Sequence, residues 1–261
     1  MYNFVLINLT TKQMKKLILM VLVIAAITNA KAQKNWSVGV FTSGSGNHAQ
    51  FSAGSSEANG RFSSNPYGTG TFGLMGRYFL NNHWSLQSGM NLSQVGFEYA
   101  VSNDYSLLKK HNEHATKNNV GIGVLQVPLT AIFVTKTNCS NFRFFVGSGV
   151  TLTTSLNNVN ETKNIVAKGD EGAINNVYVN QTVSSSQFVI PTVQFMWGIE
   201  KLMKKGGIIQ GGFVANMGFT NIATSDVTYS IENKVYNHTF TNKGDYMGMM
   251  LNYYFKPFKK R

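Results

Sequence analysis

The stretch that most constrains this chain is residues 71–94, TFGLMGRYFLNNHWSLQSGMNLSQ, which holds two segments of period two on either side of a three-residue break, Asn81-Asn82-His83. Successive side chains of a β-strand point to opposite sides. Phe72, Leu74, Tyr78 and Leu80 therefore share one face, and Gly73, Met75, Arg77 and Phe79 the other. In the second segment Trp84, Leu86, Met90 and Leu92 oppose Ser85, Gln87, Gly89, Asn91 and Ser93. A face of glycine, serine, glutamine and asparagine is a poor core for a water-soluble protein. It suits the polar interior of a membrane barrel whose apolar face meets lipid.

The same plan recurs along the chain. Trp36, Val38 and Val40 oppose Ser37, Gly39 and Phe41. Leu125, Val127, Leu129, Ala131 and Phe133 oppose Gln126, Pro128 and Thr130, with a mid-strand proline that is best tolerated at a bulge or an edge. Later strands set Phe144, Val146, Val150 and Leu152 against Arg143, Gly147, Gly149, Thr151 and Thr153, and Phe195, Trp197 and Ile199 against Gln194, Gly198 and Glu200. Phe213, Ala215 and Met217 then oppose Gly212, Asn216 and Gly218, and Met247, Met249, Leu251, Tyr253 and Phe255 form the apolar face of the last strand. Beyond Gln94 the apolar residues change parity, at Val95, Phe97, Tyr99 and Val101, which predicts a bulge or an exposed extension of the strand.

The expected fold is all-β, an eight-stranded up-and-down antiparallel transmembrane β-barrel, with residues 33–261 as its single domain. The connections alternate in length, with long outer loops at 43–68, 102–119, 157–186 and 220–242 and short turns between them. In an up-and-down barrel alternate connections lie on the same side, so the long loops fall outside and the short turns and both termini on the periplasmic side. A soluble eight-stranded barrel demands the reverse, an apolar interior and a charged exterior, and the apolar faces here carry almost no charge.

The N-terminus agrees with export. Residues 17–27 are apolar, too short for a membrane helix and of the right length for a signal-peptide core. Lys15-Lys16 precede them and Ala30-Lys31-Ala32 follows, so residues 1–32 read as a signal peptide cleaved before Gln33, with Met14 an alternative start. Removing it lowers the formal charge from +12 to +8, with 19 basic against 11 acidic residues left. No basic stripe interleaved with aromatics accompanies that charge, so nucleic acid is not an expected partner. The lone cysteine, Cys139, cannot form an internal disulfide.

GLMGRYFLNNHWSLQSGMNLSQVGFEY, then LQVPL, FFVGSGV and a closing GMMLNYYF, behind a signal peptide, resemble the PorT-like outer-membrane β-barrel family of the Bacteroidetes. The likeness runs from about Trp36 to Phe255 and rests on barrel-building residues. It implies an outer-membrane location, and some relatives in that family assist protein secretion.

Eight strands enclose an interior just wide enough for side chains to fill. Arg77, Arg143 and Glu200, with Glu98 as a further candidate, should therefore form a network of lumen charges, since unpaired charge there is costly. Trp36, Tyr78, Trp84, Trp197, Tyr253 and Phe255 are expected as interfacial aromatic anchors, and Lys201, Lys204 and Lys205 with the basic C-terminal residues as headgroup contacts. His111-Asn112-Glu113-His114 has no strong metal-ligand spacing. His83-Trp84-Ser85 has the His-x-Ser spacing found in an outer-membrane lipid A deacylase, but on the wrong side of the membrane and without an acidic partner. No catalytic residue, cofactor or metal is expected. The expected partners are outer-membrane lipid and either a surface ligand or an envelope protein, the second reading being an accessory or assembly subunit of a secretion or envelope machine.

Overall fold

The computed structural model describes residues 35–47, 50–52, 62–65, 67–101, 116–136, 141–156, 160–167, 177–186, 188–204, 206–231 and 234–255. Its strands in chain order are β1 (Trp36–Asn47), β2 (Gln50–Ser52), β3 (Phe62–Asn65), β4 (Tyr67–Phe79), β5 (Trp84–Val101), β6 (Thr116–Val134), β7 (Phe142–Ser155), β8 (Asn160–Ala167), β9 (Val177–Ser185), β10 (Ile190–Leu202), β11 (Ile208–Gly218), β12 (Ala223–Ile231), β13 (Lys234–Asn242) and β14 (Tyr246–Tyr254).

Eight of these close a ring. β1 pairs with β4, and the ladder runs through β5, β6, β7, β10, β11 and β14 back to β1, antiparallel throughout. The ring has a turn end, where Asn81–His83 joins β4 to β5, and a loop end, where the long connections emerge. Inside and outside follow the expected parity: Phe72, Leu74, Trp84, Leu86, Leu129, Phe144, Phe195, Met249 and Leu251 are exposed around the outer wall. Thr71, Arg77, Gln87, Asn91, Gln126, Thr153, Gln194 and Asn252 are buried in the lumen.

The lumen is a packed interior in layers. Near its middle Phe41, Met75, Phe145, Met196, Val214 and Met250 form an apolar stratum. Glycines on the facing strands leave the space these need: a Cβ on Gly89 would stand 2.5 Å from the sulfur of Met75, and one on Gly147 would stand 2.7 Å from Cγ of Met196. Above lies a layer of amides and hydroxyls. There Thr71 and Ser93 share a hydrogen bond of 2.8 Å, and Asn216 Nδ2 donates to Thr192 Oγ1 at 2.9 Å.

The structure departs from the sequence reading in three places. The first is the parity change after Gln94. Pairing of β5 with β6 keeps one register from Trp84↔Phe133 to Val101↔Thr116, so of the two expectations the bulge is absent and the extension holds, although it is buried rather than exposed at Val95 and Phe97. Val95 and Phe97 lie on the same inward face as Ser93 and are buried, because the interior itself turns apolar toward the loop end. The second is Pro128. It sits in mid-strand without a bulge, and the β5–β6 ladder is interrupted opposite it, between Ser88↔Leu129 and Asn91↔Gln126, where its missing N–H leaves nothing to pair.

The third concerns the outer connections, where the range 43–68 reads in the sequence as a polar loop without apolar period. β1 runs on to Asn47, and β6 begins at Thr116. Within 43–68, 157–186 and 220–242 the chain forms β2, β3, β8, β9, β12 and β13. Five of these build a second sheet in the order β2-β13-β12-β9-β8. It covers the loop end of the barrel: Phe240 on β13 meets Phe97 on β5 with ring centroids 6.4 Å apart, and Asn242 Nδ2 donates to the Gly96 carbonyl at 2.8 Å. Val95, Val124, Ile190 and Ile222 make a small apolar core at this junction.

Candidate functional site

The lumen near the turn end is the densest concentration of charge among the described residues. Inward parity brings Arg77 from β4, Arg143 from β7 and Glu200 from β10 to neighbouring positions, since Glu200 and Arg143 are register partners. Arg77 Nη1 donates to Glu200 Oε2 at 2.7 Å, and Arg143 Nε donates to Glu200 Oε1. Arg77 and Glu200 are wholly buried, and Arg143 is 11% exposed. One carboxylate thus bridges two guanidiniums, and this core of the network carries a net +1.

Amides and rings complete the layer. Gln210 Nε2 donates to Glu200 Oε2 at 2.9 Å, and Asn252 Nδ2 donates to Gln210 Oε1 at 2.9 Å. Arg77 Nε donates to Ser85 Oγ at 2.9 Å. Its guanidinium also stands 4.9 Å from the Phe79 ring centroid and 5.6 Å from that of Tyr254, whose hydroxyl donates to Gln87 Oε1. These contacts cross the lumen between strands far apart in the sequence and leave Arg77 and Glu200 wholly buried, with Arg143 keeping slight exposure. Gln87, Gln210, Asn252 and Tyr254 were not among the expected network residues. Their inward parity was the signal that could have found them.

The remaining candidates lie elsewhere. Glu98 is at the loop end, beside Tyr67. His83 is half-buried in its turn, its Nδ1 2.9 Å from the Val134 carbonyl and its ring stacked on Phe133. Ser85, two residues on, accepts from Arg77, so the two side chains are engaged separately. His111, His114 and Cys139 lie outside the described residues. Among the described residues no three His, Cys, Asp or Glu side chains converge as a metal site.

Trp36, Trp84, Trp197, Tyr253 and Phe255 are exposed on the outer wall, and Tyr78 is partly so. Trp36 packs on Tyr78 at 5.1 Å and Tyr253 on Phe255 at 5.0 Å. They gather toward the turn end of the ring, where an aromatic girdle of a membrane barrel belongs.

Comparison with known proteins agrees with this architecture. Residues 29–259 match the family model described as outer membrane protein beta-barrel domain. Among solved structures the chain is similar to the outer membrane protein OprG from Pseudomonas aeruginosa, at 12% identity and a TM-score of 0.42, over 85% of this chain and 94% of that one. It is also similar to the translocator domain of the autotransporter NalP from Neisseria meningitidis, at 7% identity and a TM-score of 0.32, over 94% and 95%. No curated protein matches the sequence.

Proposed function

Since the chain belongs to the family of outer membrane protein beta-barrel domains, we propose that it is a non-enzymatic barrel with a closed lumen whose outer sheet presents a surface for binding. The observation that carries this reading is the bridged Arg77–Glu200–Arg143 cluster with its amide shell, set beneath an apolar stratum of Phe41, Met196 and Met250. A conducting path would have to break both layers, and eight strands leave little width beside them. The barrel acts as a rigid frame, and the work falls to the segments above it, the usual division between scaffold and connections.

In this reading the turn end faces the periplasm and the second sheet faces outward, following the general arrangement of short turns inside and long connections outside. The chain arrives as a precursor and loses residues 1–32, so N-terminal sequencing of the mature protein should begin at Gln33. The reading includes no catalytic step, which agrees with the separate engagement of His83 and Ser85.

Planar-bilayer recording of the purified protein tests it. The expected record is a quiet membrane, and a large steady conductance would overturn the closed lumen. A second reading draws on the PorT-like sequence features and on the built outer sheet: an accessory subunit of a secretion or envelope machine. Stoichiometric envelope proteins recovered with the solubilised barrel would favour it, and a barrel recovered alone would remove it.

A further inference from the structure

The charge of this chain is distributed very unevenly along the barrel axis. Ten of the 11 acidic residues lie, in sequence, at or beyond the loop ends of the strands, and the exception is Glu200. Glu200 is itself consumed in the lumen by two arginines. The turn end consequently carries lysines with no carboxylate among the described residues to answer them.

Lys201 is the clearest case. It lies on the outer face of β10, opposite Phe142 of β7, and its ammonium stands 4.8 Å from the Phe142 ring centroid. Next along the same seam, away from the turn, come the register pairs Ile199↔Phe144 and Trp197↔Val146, all four exposed on the outer wall. Lys204 is exposed in the turn that follows, and Leu202 N donates to the Asn141 carbonyl, which ties the end of β10 to the start of β7. The result is a cationic rim directly above an open apolar lane.

We propose that this rim is a binding site for the headgroup of an anionic glycerophospholipid, with Lys201 and Lys204 taking the phosphate and the acyl chains lying along Phe144, Trp197 and Ile199. Charge complementarity selects the occupant. Lysine supplies donors and positive charge for a phosphodiester, and the described rim has no carboxylate to hold the ammonium of a zwitterionic headgroup. The inference rests on the reading above that the turn end meets the inner, phospholipid leaflet.

The three tryptophans of the chain, Trp36, Trp84 and Trp197, are the natural reporters, because all stand on the outer wall toward this end. The mature chain is placed in phosphatidylcholine vesicles containing a minority of phosphatidylglycerol or of phosphatidylcholine, each with brominated acyl chains that quench tryptophan on contact. One basic residue near an anionic surface is worth about fivefold in relative binding. Brominated phosphatidylglycerol should therefore be preferred by roughly five- to twentyfold, less at high salt. The variant K136Q/K201Q/K204Q should bring the preference close to one while quenching by brominated phosphatidylcholine is unchanged, and K201E alone should lower it. Equal quenching by both lipids in the parent, or a preference that survives in the triple variant, overturns the site and leaves the membrane reading intact. Quenching by neither lipid overturns both.

Discussion

Replacing Glu200 by Gln isolates the part that charge plays in the lumen. Glutamine keeps the size of the side chain and an oxygen that can still accept from Gln210, so the packing of the layer is nearly preserved while its only carboxylate is lost. Arg77, which is wholly buried, and Arg143, at 11% exposure, are then left facing each other without a counter-charge. Removing one partner of a buried ion pair costs about 3–5 kcal/mol, a large share of the roughly 5–15 kcal/mol that holds a typical protein folded. Urea unfolding in vesicles, followed by the fluorescence of the outward tryptophans, should show the midpoint falling by about 2 M for a slope near 2 kcal/mol/M, with the slope unchanged. The double variant E200L/R77M should recover most of the loss. It removes the buried pair as a whole, and apolar replacement of such a pair is often neutral, while Arg143 keeps some access to solvent. A cost below about 1 kcal/mol for E200Q, or a double variant no better than the single, would refute the argument that these charges hold one another in the lumen.

Three other outcomes follow from the same geometry. Gly198→Ala should destabilise the barrel by about 1–3 kcal/mol, because its new Cβ would stand 2.2 Å from the Gly211 carbonyl oxygen and only the backbone of β11 could yield; urea titration checks it. Phe240→Ala, at 1% exposure, should loosen the outer sheet by about 3–5 kcal/mol, seen as lost amide protection in β12 and β13, while the heat-modifiable migration of the barrel in detergent gels stays the same. His238 on β13 is buried, and that burial lowers its pKa. The neutral ring is thus favoured in the folded sheet, so its contribution to stability is full above the unfolded value of about 6.5 and declines as pH falls from there toward the folded pKa. The protection factors of the β13 amides, corrected for the intrinsic exchange rate, should fall between pH 7.5 and 5.5, and His238→Gln should flatten the dependence.

The ring of eight strands is legible in the sequence because each wall residue meets one of only two environments. Where lipid lies on one side and a packed polar layer on the other, alternation such as Trp84-Ser85-Leu86-Gln87 has a single reading. The outer sheet carries a weaker contrast. β12, ATSDVTYSI, and β9, VYVNQTVSS, do alternate, but Ser225 and Gln181 interrupt their apolar parity, so these short runs stand close to a polar loop. Val95 and Phe97 misled for a related reason. Alternation identifies faces only while each face keeps its character, and here the inward face changes from polar to apolar along a strand that never slips register. The charge cluster was partly legible: parity put Arg77, Arg143 and Glu200 inside, and the cost of unpaired charge required partners. That Glu200 would serve both arginines, and that Glu98 would stand apart near Tyr67, depends on how the ring closes, which no local pattern reports.

The second sheet has a bearing on how the surface of this protein can diverge. β2, the β8–β9 pair and the β12–β13 pair come from three different connections, yet they share one hydrogen-bonded ladder. A change of length within any one strand shifts its register by a residue and exchanges its inner and outer side chains. Insertions and deletions are then tolerated at hairpin tips, and within the strands change is confined to outward positions such as Asp226, Thr228, Val235 and Asn237, where the hydrogen-bonded pairs Thr228–Asn237 and Thr239–Asp226 should vary together. The exposed face should therefore vary as a comb does, with changeable teeth set between positions held by Val227, His238 and Phe240 beneath them.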